Sequence, residues 1–176
     1  MVVDEATFLT LALEEPNAQL ELHCGIVRHK PGMSAAHNET MMRLAGWLFQ
    51  QVDRGEFRVR CNSGHVRQSA ERYYIPDVAV LPTALVLPQL PQHVLEVYRD
   101  PLPLVVEIWS PSTGDYDVET KLPEYQRRGG LLCQHPDGGW WLQPNLARLS
   151  KHPAELRAAV LDLLGRIDSQ RRDTAE

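Results

Sequence analysis

Two apolar runs each carry one carboxylate in their interior, and no other feature of the chain restricts its folding as strongly. Asp77 stands in Tyr73-Tyr74-Ile75-Pro76-Asp77-Val78-Ala79-Val80-Leu81, and Glu107 stands in Leu104-Val105-Val106-Glu107-Ile108-Trp109. Both runs are rich in β-branched and aromatic residues and read as strands. In the second, period-two alternation sends Val105, Glu107 and Trp109 to one face and Leu104, Val106 and Ile108 to the other. A strand apolar on both faces belongs at the centre of a sheet. An ionised carboxylate buried there costs several kcal/mol unless a metal ion, a cation or hydrogen bonds compensate it. Two such carboxylates on neighbouring strands can converge on one hard cation. Mg²⁺ suits the site, because it takes oxygen ligands and needs only one or two carboxylates. Asp117 and Lys121 follow on a predicted helix, and Lys121 offers an ammonium to the same place.

The chain has 176 residues, enough for one domain with a single core. We place that domain over about residues 1–150, with a C-terminal helix and tail over 151–176. With 43% hydrophobic and 23% charged residues, the composition is that of an ordinary soluble globular protein. No apolar run approaches the ~20 residues that cross a bilayer, and the start lacks the basic and apolar blocks of a secretory signal. The expected compartment is the cytoplasm, with no membrane partner. Cys24, Cys61 and Cys133 are odd in number and widely spaced, which predicts neither a disulfide framework nor a zinc knuckle. The net charge of -5 gives no global signature of a nucleic-acid binder. Local arginines such as Arg58, Arg60, Arg67, Arg72, Arg127 and Arg128 can still form a phosphate-facing patch or simply solubilise the surface. The nucleophile elbow, the phosphate-cradling Gly-Lys-Ser/Thr loop, the His-Glu-x-x-His pair and the deaminase Pro-Cys-x-x-Cys signature are absent.

Along the chain, Glu5 to Glu15 reads as a first helix capped by Asp4, with Phe8, Leu9, Leu11 and Leu13 as its apolar face. Gln19–His23 and Ile26–Lys30, joined through Cys24-Gly25, read as a hairpin ended by Pro31. A long helix starts at a Ser34 cap and carries Met41, Leu44, Ala45, Leu48, Phe49 and Val52 as core. Phe57–Cys61, His65–Ser69 and Arg72–Leu81 are predicted strands, and the proline-rich stretch 82–101 is predicted to be irregular. After the strand Leu102–Trp109 and the turn Ser110–Gly114, a helix is predicted from Tyr116 to Arg128. Leu131–Gln134 and Trp140–Gln143 read as a hairpin, and Pro153–Ile167 as a last helix.

Several fragments together resemble one family. They are Pro76-Asp77, then Val105-Val106-Glu107-Ile108-Trp109-Ser110-Pro111-Ser112-Thr113, then Asp117 and Lys121-Leu122-Pro123-Glu124-Tyr125-Gln126-Arg127-Arg128-Gly129. Leu20-Glu21-Leu22 with Gly25 and the Ser34 to His37 helix start add to the pattern. Over about residues 5–130 the chain resembles the Uma2 (DUF820) family of the PD-(D/E)XK restriction-endonuclease-like superfamily. The resemblance implies an α/β fold, with a central mixed sheet flanked by helices. It further implies a Mg²⁺- or Mn²⁺-dependent endonuclease that hydrolyses phosphodiester bonds, with DNA as its nucleic-acid partner. Asp77 and Glu107 match the family's metal-binding acidic pair, with the backbone carbonyl of Ile108 as a third ligand. The usual lysine two residues after the glutamate is absent, since Trp109 stands there, which makes Lys121 the match. Glu21 matches a further acidic position, while His37, Asp117 and Tyr125 are accessory candidates.

Each residue also has a plainer reading. Pro-Asp is a common turn element, Glu107 and Lys121 can form a metal-free buried pair, and Asp117 and Lys121 fit a surface pair four residues apart. His37 fits an ordinary first-turn helix residue, and Tyr125 a core residue. The passage after Gly129 departs from the family pattern, and a lost strand there would expose an edge that pairs with a second copy. The alternative function is a silent nuclease-fold module that binds nucleic acid or serves interaction and oligomerisation.

Overall fold

Pro76 divides what the sequence presents as one long strand. Its ring removes the N–H that a ladder needs, and the chain on either side of it enters different sheets. The computed structural model describes residues 2–15, 17–108, 117–128, 131–134 and 140–143, together with 155, 158–162 and 165 of a C-terminal helical stretch. Trp109, the predicted turn Ser110–Gly114, the connection Pro136–Gly139 and the tail from Asp168 lie outside the described residues.

Among those residues the helices are α1 (Glu5–Glu14), α2 (Ala35–Gln51), α3 (Thr83–Val86) and α4 (Leu122–Arg128). The strands are β1 (Leu20–His23), β2 (Ile26–His29), β3 (Phe57–Cys61), β4 (His65–Ser69), β5 (Arg72–Tyr74), β6 (Val78–Pro82), β7 (Val97–Tyr98), β8 (Leu104–Glu107), β9 (Leu131–Gln134) and β10 (Trp140–Gln143). They form two sheets, β2-β1-β5-β4-β7 and β10-β9-β8-β6-β3. Both sheets are mixed, because β4–β7 and β8–β9 are parallel and the other pairs antiparallel.

Local chemistry accounts for the first elements. The Asp4 side chain accepts the Thr7 amide at 2.8 Å and caps α1, and Ser34 Oγ accepts the His37 amide at 3.2 Å and caps α2. The β1–β2 hairpin turns on Cys24 (φ 50°) and Gly25 (φ 74°), the pair of positive φ values that a two-residue turn requires. A Cβ on Gly25 would also lie 2.8 Å from Val2 Cγ1, so only glycine fits there.

Three apolar layers order the structure. Alternation along β6 and β8 sends Val78, Val80, Leu104 and Val106 toward Leu44 and Leu48 of α2. Ala79, Leu81 and Val105 face the other way, into a layer shared with Val66, Tyr74, Leu122 and Tyr125. Beyond the first sheet, Phe8 and Ala12 of α1 pack on Leu20, Leu22 and Tyr73. The middle layer therefore lies between the two sheets, takes the side chains of β6 and β8 that point away from α2, and is completed by Leu122 and Tyr125 of α4.

Several expectations need correction. Phe49 is 44% exposed, with the Arg54 guanidinium 4.2 Å from its ring centroid, and is not core. Leu13 is exposed too, and Phe8 and Ala12 are the residues of α1 that are buried. Proline-rich 82–101 is less irregular than its composition suggests, since it holds α3, a 3₁₀ turn at Leu87–Gln89 and β7. The helix expected from Tyr116 begins as a π turn over Asp117–Lys121, a wide form that recurs at functional sites. Pro123 falls in the first turn of α4, where its missing N–H is tolerated. The predicted hairpin after Gly129 forms as β9 and β10, with β9 added parallel to β8.

Candidate active site

The same alternation that builds the middle layer places charge in it. Leu20 and Leu22 of β1 face α1, so Glu21 between them faces the opposite sheet, and Glu107 follows Val105 into the same space. Lys121, at the end of the π turn, enters from the helical side. Its ammonium lies 2.9 Å from Glu21 Oε1 and 3.6 Å from Glu107 Oε1. All three residues are 2% exposed. Lys121 Nζ also stands 5.8 Å from the centroid of the Tyr74 ring. Tyr125 completes the group. Burial first and then the Glu107 charge push its phenol well above the usual tyrosine range, so it stays protonated.

Asp77 forms a second centre. Strand register pairs Val78 with Val106, so Asp77 and Glu107 occupy the next position on adjoining chains. Asp77 is 2% exposed. Its Oδ1 accepts from Lys30 Nζ at 2.9 Å, and its Oδ2 accepts the Ile108 amide at 2.7 Å. His37 Nε2 lies 3.1 Å from Oδ2, at an angle too oblique for a full hydrogen bond. Burial on its own would raise the Asp77 carboxyl, but the Lys30 ammonium, then His37 and the Ile108 amide, hold it below the usual aspartate range.

Ile75-Pro76-Asp77 joins the two centres. Outside the strand ladders, the Ile75 amide is satisfied by Glu21 Oε1 at 2.8 Å and the Ile75 carbonyl by Lys30 Nζ at 2.7 Å. The break that Pro76 makes in the ladder is thus mended by one charged side chain from each centre.

Of the sequence-derived candidates, Glu21, Glu107, Lys121 and Tyr125 are brought together in one group, and Asp77 and His37 in the other. At Ile108 the contact with Asp77 runs through the amide N–H. Asp117 lies in the π turn, and its side chain is outside the described residues. Lys30 is the residue that sequence reasoning missed. It reads as the unremarkable end of a hairpin strand before Pro31, and its position beside a proline at the end of a paired strand is the only local cue.

Among the described residues, no three His, Cys, Asp or Glu side chains are gathered closely enough to chelate a hard divalent ion. Chemistry and charge nevertheless suit it. The carboxylates offer oxygen ligands, and among the described residues Glu21 and Glu107 both face the ammonium of Lys121. His37 is 5% exposed, and neither of its ring nitrogens has a hydrogen-bond partner. The imidazole packs against the Asp77 carboxylate, with Nε2 3.1 Å from Oδ2.

A family described as "Putative restriction endonuclease", Uma2, matches residues 6–133. The chain belongs to the Uma2 family. Among solved structures, the fold is similar to that of "a putative nuclease belonging to DUF820" from Anabaena variabilis. That likeness has a TM-score of 0.61 and 16% identity, and it covers 77% of this chain and 75% of the other. No curated protein matches the sequence. The Uma2 match covers β1 through β8 and most of β9, and so includes every residue of both charged centres. Among the described residues, no helix is long and apolar enough to cross a membrane.

Proposed function

We propose that this Uma2 protein is a Mg²⁺- or Mn²⁺-dependent nuclease that hydrolyses phosphodiester bonds, with DNA as its substrate. The observation that carries the reading is the pair of buried carboxylates that face each other across register, Asp77 just before β6 and Glu107 at the end of β8, with an imidazole packed against one and a lysine ammonium beside the other. Family membership supports the same class of chemistry.

Asp77 and Glu107 would hold the ion, with the Ile108 carbonyl and His37 at hand. When bound, the ion supplies Lewis acidity toward a phosphoryl oxygen and favours deprotonation of a nearby water. The remaining work falls to the chain. Lys121 is a compact point charge set among two carboxylates, and it would stabilise negative charge developing on the phosphoryl group. Glu21 positions that ammonium through the 2.9 Å contact and is itself fixed by the Ile75 amide. Tyr125, held protonated, can donate but cannot act as a base at neutral pH. Tyr74 and the apolar residues of the middle layer lower the local polarity, which strengthens each of these interactions.

Incubation of plasmid and single-stranded DNA with Mg²⁺ or Mn²⁺ tests the reading. Wild type is expected to cleave, and Lys121→Ala to lose cleavage while keeping metal affinity in calorimetry. Asp77→Ala is expected to lose the metal site itself. A wild-type protein that neither binds metal nor cuts DNA would instead be a silent interaction module.

A further inference from the structure

The three groups around Asp77 do not share its oxygens evenly. Oδ2 takes the Ile108 amide at 2.7 Å and has the His37 ring nitrogen against it at 3.1 Å. Oδ2 accepts one full hydrogen bond and has the imidazole packed against it. Oδ1 has Lys30 Nζ as its partner at 2.9 Å, so a further ligand that approaches the carboxylate through Oδ1 meets the ammonium. The lysine is anchored rather than draped there. Its side chain is 6% exposed, its ammonium is also held by the Ile75 carbonyl at 2.7 Å, and its backbone N–H continues the hairpin through the Gln19 carbonyl at 2.9 Å.

We propose that Lys30 is the resident cation of Asp77, occupying the place at Oδ1 that a divalent ion would take, so that ion binding requires the ammonium to move away. This deepens the metal-dependent reading of the site and rests on it. The reason is electrostatic. An ion bound to Oδ1 at a Mg²⁺-like distance would lie no more than about 5 Å from an ammonium still at 2.9 Å from the same oxygen. In a buried setting, a single and a double positive charge so close repel strongly. Lys121 does not face the same exclusion, because it is shared between two carboxylates. Lys30 therefore sets the metal affinity of the Asp77 centre, and the chain carries its own competitor for the ion.

Calorimetric titration of the full chain with MnCl₂ tests this on wild type, Lys30→Met, Lys30→Gln and the double variant Lys30→Met/Asp77→Asn. Both neutral variants are expected to bind Mn²⁺ more tightly than wild type, Lys30→Met by about tenfold or more. Lys30→Gln keeps an N–H donor for Ile75 and Asp77, so it serves where Lys30→Met does not fold. The double variant is expected to show no site. Thermal unfolding gives an independent reading: without metal the neutral variants melt below wild type, and Mn²⁺ raises their midpoint by more than it raises that of wild type. Equal or weaker Mn²⁺ affinity in a folded neutral variant overturns the role of Lys30 and leaves the metal-dependent reading standing. Absence of Mn²⁺ binding in wild type and in folded neutral variants alike overturns both.

Discussion

The two buried centres solve one electrostatic problem in opposite ways. At Asp77 a single carboxylate is surrounded by an ammonium, an imidazole and a backbone amide, so donors outnumber acceptor groups. At Glu21 and Glu107, two carboxylates converge on the ammonium of Lys121. The first centre is balanced, whereas among the described residues the second sets two carboxylates against one ammonium inside an apolar layer. Each centre also supplies one of the groups that mend the break at Pro76. Both centres meet at the backbone of Ile75, where Glu21 takes the amide and Lys30 the carbonyl. Balance favours a stable fold, while under the proposed metal-dependent reading the second centre is the one that would attract a cation.

The sharpest way to break the comparison is to remove the cation from the deficient centre. Lys121→Met would leave two carboxylates buried with the methionine side chain in place of the ammonium. Breaking a buried pair in this way costs about 3–5 kcal/mol. Urea unfolding at neutral pH should show a loss of that size, and Glu21→Gln in the same chain should recover part of it by removing one charge. A loss below about 1 kcal/mol would mean that water reaches Lys121 and that the centre is not a buried triad.

A smaller effect is expected from the balanced centre. Asp77→Asn keeps the shape and still accepts one hydrogen bond, so it loses charge-assisted interaction worth about 1.5–3 kcal/mol. The sign of its pH dependence follows from the lowered Asp77 carboxyl. A carboxyl whose folded pKa lies below the unfolded value contributes stability that is complete above the ordinary aspartate pKa of about 3.9 and fades as the pH falls toward the folded value. The gap between wild type and Asp77→Asn should accordingly be full at pH 7 and shrink on acidification below about pH 4. A gap that grows instead would mean that Asp77 is buried as the neutral acid.

Much of this arrangement was legible in local pattern. Alternation and caps predict the β1–β2 hairpin, α2, β3, β4 and the two acid-bearing strands, because each depends on neighbours in sequence. Period two along Leu104–Glu107 also predicts that Glu107 lies on the face opposite Leu104 and Val106, which the structure turns toward α2. The sheet switch at Pro76 was not legible. A missing N–H marks an interruption, but which sheet the chain enters next depends on β3 and β8, well removed in sequence. Lys30 was hidden for the same reason, since its carboxylate partner is 47 residues away and its place beside Pro31 marks only the end of a strand. Phe49 misled because helical spacing marks a face without saying how wide the buried stripe is.

The smallest expected effect comes from an ion pair that resembles the buried ones in geometry but not in setting. Glu5 lies 2.7 Å from Arg67 Nε and also accepts from the Tyr73 hydroxyl, joining the start of α1 to β4 and β5. The hydrogen bond from Arg67, then that from Tyr73, lower its carboxyl to about 2. Read without regard to solvent, that shift would rank this pair with the buried centres. The Glu5 side chain is 28% exposed, however, so water and salt screen it. Glu5→Gln should therefore cost only about 0.5–1 kcal/mol at neutral pH and low salt. That contribution is present above the ordinary glutamate pKa and disappears as the pH falls toward 2. In about 1 M NaCl, where the screening length is about 3 Å, the Glu5→Gln effect should largely vanish while that of Lys121→Met persists. Equal salt sensitivity in the two variants would show that Lys121, too, is open to solvent, and the contrast between surface and interior charge would have no basis.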